Sequence, residues 1–141
     1  MERRSFLKDT CRICVLGAAT FSVAEFLASC GTTAKGFKTT VTDNKIEVPL
    51  SLFDTTATQI ISPGNYEYEI AVQKNTDNTF QAMLLRCTHQ NNQLIPTGTG
   101  YYCSLHGSQY DKQGKVKKGP AEKELPRLRV EQTPTNLIIH I

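Results

Sequence analysis

A chain of 141 residues with 16 Lys+Arg, 13 Asp+Glu and a formal charge of +3 fits one small domain and lacks the basic field of a nucleic-acid binder. Its 39% hydrophobic and 21% charged residues exclude both a disordered chain and a polytopic membrane protein. Five cysteines, an odd number, cannot all serve a paired disulfide framework.

Residues 1–29 read as an export signal. Arg3-Arg4 followed by Phe6-Leu7-Lys8 looks like a twin-arginine motif. The apolar run from Ile13 to Ala24 is shorter than the about 20 residues of a membrane span, and Glu25 interrupts it. A carboxylate in hydrocarbon is costly, which favours a cleaved signal over the alternative, an uncleaved N-terminal anchor. Leu27-Ala28-Ser29-Cys30 resembles a bacterial lipoprotein box, in which Cys30 takes the lipid and becomes the new N-terminus. Cys11 and Cys14 form a C-x-x-C pair that falls inside the signal. The expectation is an exported protein, held to a membrane on the extracytoplasmic, periplasmic side by lipid on Cys30.

Residues 30–44 are small and polar at their start and read as a tether, with a folded domain over 45–141. Lys45-Ile46-Glu47-Val48 alternates as a strand, and Pro49 confines it to an edge or a strand end. Tyr66 to Val72 alternates with Tyr66, Tyr68, Ile70 and Val72 on one face. The turn-rich Asn75–Asn78 then leads to an apolar return over Phe80–Leu85, which makes a hairpin. Arg127–Val130 and Asn136–Ile141 predict a second hairpin around Thr133-Pro134. No long helical period follows the signal, so the fold class is all-β, with Cys87–Pro120 a loop-rich insertion between hairpins.

The insertion carries the chemistry. Cys87-Thr88-His89 is followed, after residues 90–102, by Cys103-Ser104-Leu105-His106, a C-x-H…C-x-x-H pattern. Two thiolates and two imidazoles suit a metal site, and a structural zinc would accept all four. No nucleophile–base pair, carboxylate dyad or phosphate-binding glycine loop stands out, and the pattern assigns no catalytic residue. The lysines at 112, 115, 117 and 118 read as a solvated hairpin edge that could also attract an acidic partner.

Beyond His106 the sequence continues Gly107-Ser108-Gln109-Tyr110-Asp111 and later Gly119-Pro120-Ala121. The set C-T-H…C-x-x-H-G-S-x-Y-D…G-P-A resembles the Rieske [2Fe–2S] proteins, in motif those of cytochrome bc-type complexes. The resemblance implies small antiparallel sheets with a loop-rich cluster-binding subdomain. It implies a [2Fe–2S] cluster held by Cys87 and Cys103 on one iron and by His89 and His106 on the other. It further implies that Ser108 donates its hydroxyl to a bridging sulfide, that Tyr110 donates its phenol to the Cys87 sulfur, and that Gly119-Pro120 covers one side. Two ferric ions, two sulfides, two thiolates and two neutral imidazoles carry no net charge, whereas a four-thiolate cluster is a dianion. Rieske potentials accordingly reach roughly −150 to +300 mV, against about −400 mV for plant-type ferredoxins.

Two departures matter. The extra cysteines that clamp the ligand loops in bc-type members correspond here to Asn92 and Leu105. Gln90-Asn91-Asn92 also puts a polar tip where those members place an apolar residue and glycine. Both favour a dedicated one-electron carrier or accessory subunit, without catalysis of its own, that serves a cytochrome or the large subunit of an oxidoreductase. The alternatives are the Rieske subunit of a quinol-oxidising cytochrome bc-type complex and the ferredoxin component of an oxygenase.

Overall fold

Ile70, Ala71 and Val72 put apolar side chains at consecutive positions, because a strand buried on both faces has no solvent side there. Ile70 and Val72 enter one core and Ala71 enters another, and the fold is built around that division. The computed structural model describes residues 36–141; the expected signal over 1–29 and Cys30 lie outside the described residues.

The described residues form twelve strands in chain order: β1 (Phe37–Thr39), β2 (Lys45–Pro49), β3 (Thr58–Pro63), β4 (Ile70–Lys74), β5 (Phe80–Leu84), β6 (Ile95–Thr97), β7 (Gly100–Tyr102), β8 (Gln109–Asp111), β9 (Val116–Lys118), β10 (Arg127–Leu128), β11 (Val130–Gln132) and β12 (Asn136–His140). Among the described residues one 3-10 turn, Leu50–Phe53, follows β2. The strands form a five-stranded sheet in the order β1-β3-β4-β5-β10, a three-stranded sheet β11-β12-β2 and a four-stranded sheet β6-β7-β8-β9. The expected all-β class is what the described residues adopt.

The five-stranded sheet is the shared wall. On one face Ile61, Ile70, Val72, Ala82 and Leu84 pack with Ile46, Val48, Leu137 and Ile139 of the three-stranded sheet. On the other face Ile60, Ala71, Met83 and Leu85 meet Leu94, Tyr101, Tyr110, Ala121 and Leu125, together with Cys87 and Cys103. The paired cysteines therefore stand on a floor of buried apolar side chains. Gly114, at φ +80, closes the turn between β8 and β9, and a Cβ there would sit 2.8 Å from the Met83 sulfur.

Three expectations change. The tether expected over 30–44 already contains β1, which runs parallel to β3 with Phe37 opposite Ile61. Phe37 packs against the first core, and Gly36 lets the backbone close on Ser62, whose hydroxyl a Cβ would reach at 2.2 Å. The strand expected from Tyr66 begins only at Ile70, although Tyr66 and Tyr68 still pack on the same core as Ile70 and Val72. Arg127-Leu128 does not join the last hairpin. It pairs with Met83 and Ala82 of β5, and the chain crosses at Arg129 to the other sheet, where β11 pairs with β12. Pro49 ends β2 at the edge of its sheet, as its missing N–H requires.

Candidate metal centre

The two ligand loops are built on one backbone plan. In the first, between β5 and β6, the Cys87 N–H bonds the Asn92 carbonyl at 2.8 Å and the Asn91 N–H bonds the Cys87 carbonyl at 2.8 Å. In the second, between β7 and β8, the Cys103 N–H bonds the Ser108 carbonyl at 2.9 Å and the Gly107 N–H bonds the Cys103 carbonyl at 2.9 Å. Each cysteine thus closes its own loop through the fourth and fifth residues after it. The fourth residue must take a positive φ, and it is Asn91 at 51° and Gly107 at 80°, residue types that tolerate it.

This plan sorts the four expected ligands into two pairs. Cys87 and Cys103 are both free thiols, both 1% exposed, and in contact with one another. His89 and His106 are exposed, with ring centroids 5.1 Å apart and planes at 84°. Among the described residues no three His, Cys, Asp or Glu side chains form a single-ion site. A tetrahedral zinc needs all four donors on one point, so the arrangement of sulfurs inside and nitrogens outside suits two metal ions side by side.

Burial pushes the Cys87 thiol up, but hydrogen bonds from the Tyr110 phenol, the His89 and Gln90 backbone N–H groups and the Cys103 thiol outweigh it. The net effect holds Cys87 below the ordinary thiol value, which favours the thiolate a metal requires. Tyr110 Oη lies 3.5 Å from Cys87 Sγ, accepts the Thr88 N–H at 3.1 Å and sits 3.0 Å from Thr88 Oγ1. Burial raises the Tyr110 phenol, and the neighbouring sulfur adds to that, while Thr88 opposes it. The phenol therefore stays protonated and can donate.

Ser108 is wholly buried, and its hydroxyl oxygen accepts the Ala121 N–H at 3.0 Å. A hydroxyl keeps one proton of its own, and that proton is free for a further acceptor. The segment Gly119–Leu125 folds over the loops. Its Gly119–Pro120 bond is cis, Ala121 reaches Ser108, and the Lys123 carbonyl accepts from Thr88 Oγ1 at 2.7 Å. Thr88 and Asn92 were not singled out as functional in the sequence. Asn92 stands out in the sequence only as the residue in place of a clamping cysteine, and the contacts of both residues follow from their offsets of one and five from Cys87.

The first loop is also held from outside. Tyr68 Oη donates to the Asn91 carbonyl at 2.9 Å, and the Glu69 N–H bonds Gln93 Oε1 at 3.0 Å. A buried Gln73 links the five-stranded sheet to the four-stranded one through Tyr101 Oη at 3.1 Å and the Lys112 carbonyl. His140, the remaining histidine, lies on β12, away from this centre, with Nε2 3.3 Å from Glu131.

A family model for the Rieske [2Fe–2S] domain matches residues 52–130. The ubiquinol-cytochrome c reductase iron-sulfur subunit of Blastochloris viridis is 49% identical over 45 residues, covering 28% of this chain and 24% of that protein. The large oxygenase component of the naphthalene 1,2-dioxygenase system of Pseudomonas fluorescens is 32% identical over 84 residues, covering 52% and 19%. The chain thus spans about a quarter or less of the length of these curated relatives. Among solved structures, the plasma membrane Rieske protein PetC3 of Synechocystis PCC 6803 matches with a TM-score of 0.54 at 21% identity, over 68% of this chain and 99% of that one. That likeness establishes the shared fold.

Proposed function

Because the chain belongs to the Rieske [2Fe–2S] domain family, and is thereby a [2Fe–2S] electron carrier, we propose that it works as a dedicated carrier tethered to a membrane on its extracytoplasmic side. Cys87 and Cys103 would hold one iron and His89 and His106 the other. When bound, the cluster accepts and releases one electron. The protein's own work is to keep the thiolates dry, to leave the imidazoles at the surface where a partner can approach, and to aim donors at sulfur. Ser108 and Tyr110 supply such donors. Each stabilises the more negative, reduced state and so raises the potential.

The observation that carries this reading is the sorting of the four side chains: two thiols 1% exposed, behind two exposed imidazoles in ring contact. The partners are redox proteins, a cytochrome or the large subunit of an oxidoreductase. The polar tip made by Gln90 and Asn91, both exposed, supports a protein partner over insertion into a quinol pocket.

A second reading has its own support. Leu105 is 53% exposed beside His106, and an apolar side chain at that point suits docking in a quinol-oxidising complex. Fractionation of cells producing the full chain, with Arg3-Arg4→Lys-Lys and Cys30→Ser variants, tests the tether. The expected result is a membrane-bound protein that becomes soluble on changing Cys30 and stays cytoplasmic on changing the arginines. A soluble cytoplasmic wild type overturns it. Co-purification with a cytochrome b selects the second reading.

A further inference from the structure

We propose that the side-chain amide of Asn92 donates a hydrogen bond to the Cys103 sulfur, coupling the first ligand loop to the second and raising the reduction potential of the centre. The inference rests on Cys103 being a cluster ligand, as argued above.

Asn92 Nδ2 lies 3.9 Å from Cys103 Sγ and 3.1 Å from the Gln93 carbonyl oxygen. A primary amide has two N–H groups, and these two acceptors use one each. The carbonyl contact takes one N–H and holds the amide in place, which leaves the other N–H for the sulfur. The position is not arbitrary. Asn92 is the fifth residue after Cys87, and Ser108 is the fifth residue after Cys103, and both carbonyls close their loops onto the cysteine N–H. The shared backbone plan thus puts Asn92 in the first loop at the station Ser108 holds in the second, and from there the Asn92 amide reaches the sulfur of the other loop.

Environment gives the contact weight. Cys103 is 1% exposed and Asn92 half-buried, so little water competes for the sulfur. Cys87 already has the Tyr110 phenol and two backbone N–H groups. Among the described residues Asn92 is the side-chain amide that serves Cys103. An N–H dipole presents its positive end to the sulfur and favours whichever state carries more negative charge there, which is the reduced state.

The test is a redox titration of reconstituted full-length protein, followed by electron paramagnetic resonance, for wild type, Asn92→Leu and Asn92→Asp. Leu keeps the volume and removes the donor; Asp keeps the shape and replaces the donor with a carboxylate. The expected result is a roughly tenfold fall in the reduction equilibrium constant for Asn92→Leu, about 59 mV for a one-electron couple, and a larger fall for Asn92→Asp. An Asn92→Leu protein that titrates with wild type, its resonance signal unchanged, overturns the proposal. Should neither variant hold a cluster, pulsed resonance on protein with side-chain 15N-asparagine, in an Asn91→Gly background, decides. A weakly coupled amide nitrogen supports the contact and its absence overturns it. A wild type without a Rieske-type signal overturns the electron-carrier reading and this inference with it, whereas a normal wild type with an unshifted variant overturns this inference alone.

Discussion

The phenol oxygen of Tyr110 sits 3.5 Å from the sulfur of Cys87, a residue 23 positions earlier in the chain. Strand pairing of β7 with β8 sets Tyr110 opposite Tyr101 on the buried floor, and the ring then reaches up to the first ligand loop. Removing only the hydroxyl, with Tyr110→Phe, leaves the packing and takes away a donor to the thiolate. The potential should fall by roughly 60–130 mV, the one-electron equivalent of the ~1.5–3 kcal/mol of a hydrogen bond to a charged group. Redox titration reads this directly, and an unchanged value would remove Tyr110 from the account.

Thr88 should act with the opposite sign. Its hydroxyl proton goes to the Lys123 carbonyl at 2.7 Å, so its 3.0 Å contact with Tyr110 must draw on the phenol proton. That proton is also the one Tyr110 offers to Cys87. Thr88→Val removes the competing acceptor, keeps the volume, and leaves the phenol to the sulfur. The expected outcome is a raised potential together with a lower melting temperature, since the Lys123 carbonyl loses its partner. A potential that falls, as for Tyr110→Phe, would contradict this division of the proton.

Ser108→Ala should do two things at once. The Ala121 N–H loses its acceptor, which costs about 1–3 kcal/mol for a buried donor. The hydroxyl proton that the proposed role directs at the cluster also disappears, and the potential should drop by an amount similar to that for Tyr110→Phe. Thermal unfolding and redox titration separate the effects. Loss of stability at constant potential would reduce Ser108 to a fastener for the segment Gly119–Leu125.

Burial raises the phenol of Tyr101, with the nearby Asp111 carboxylate adding to it and the Gln73 hydrogen bond opposing. Burial raises Tyr110 as well. A group that binds its proton more tightly when folded contributes stability that is complete below its unfolded pKa, about 10 for tyrosine, and is lost as pH climbs through the higher folded value. The melting temperature should therefore decline above about pH 10, and Tyr101→Phe should flatten that decline. A variant with the wild-type alkaline slope would show that Tyr101 does not control it.

Where burial is one-sided, the sequence was readable. Alternation in Lys45–Val48 announced β2, and its proline announced an edge. The hairpin of β4 and β5, although β4 is buried on both faces, was readable from its turn residues and apolar return instead. By contrast β3 went unread, because Ile60 faces one core and its neighbour Ile61 the other, which erases the period of two. The crossing between sheets at Arg129 was also hidden, since Leu128 and Val130 pack against the same core from different sheets. At the metal centre, residue types with distinctive chemistry, cysteine and histidine, could be picked out directly. Thr88 and Asn92 could not, because their roles come from where the backbone carries them.

Pulsed electron paramagnetic resonance of the reduced protein, grown with 15N-histidine, tests the ligand assignment most directly. Two strongly coupled histidine nitrogens, both lost together with the cluster signal or sharply altered in His89 and His106 variants, are the predicted result. A signal without histidine coupling, as from four thiolates, would contradict it.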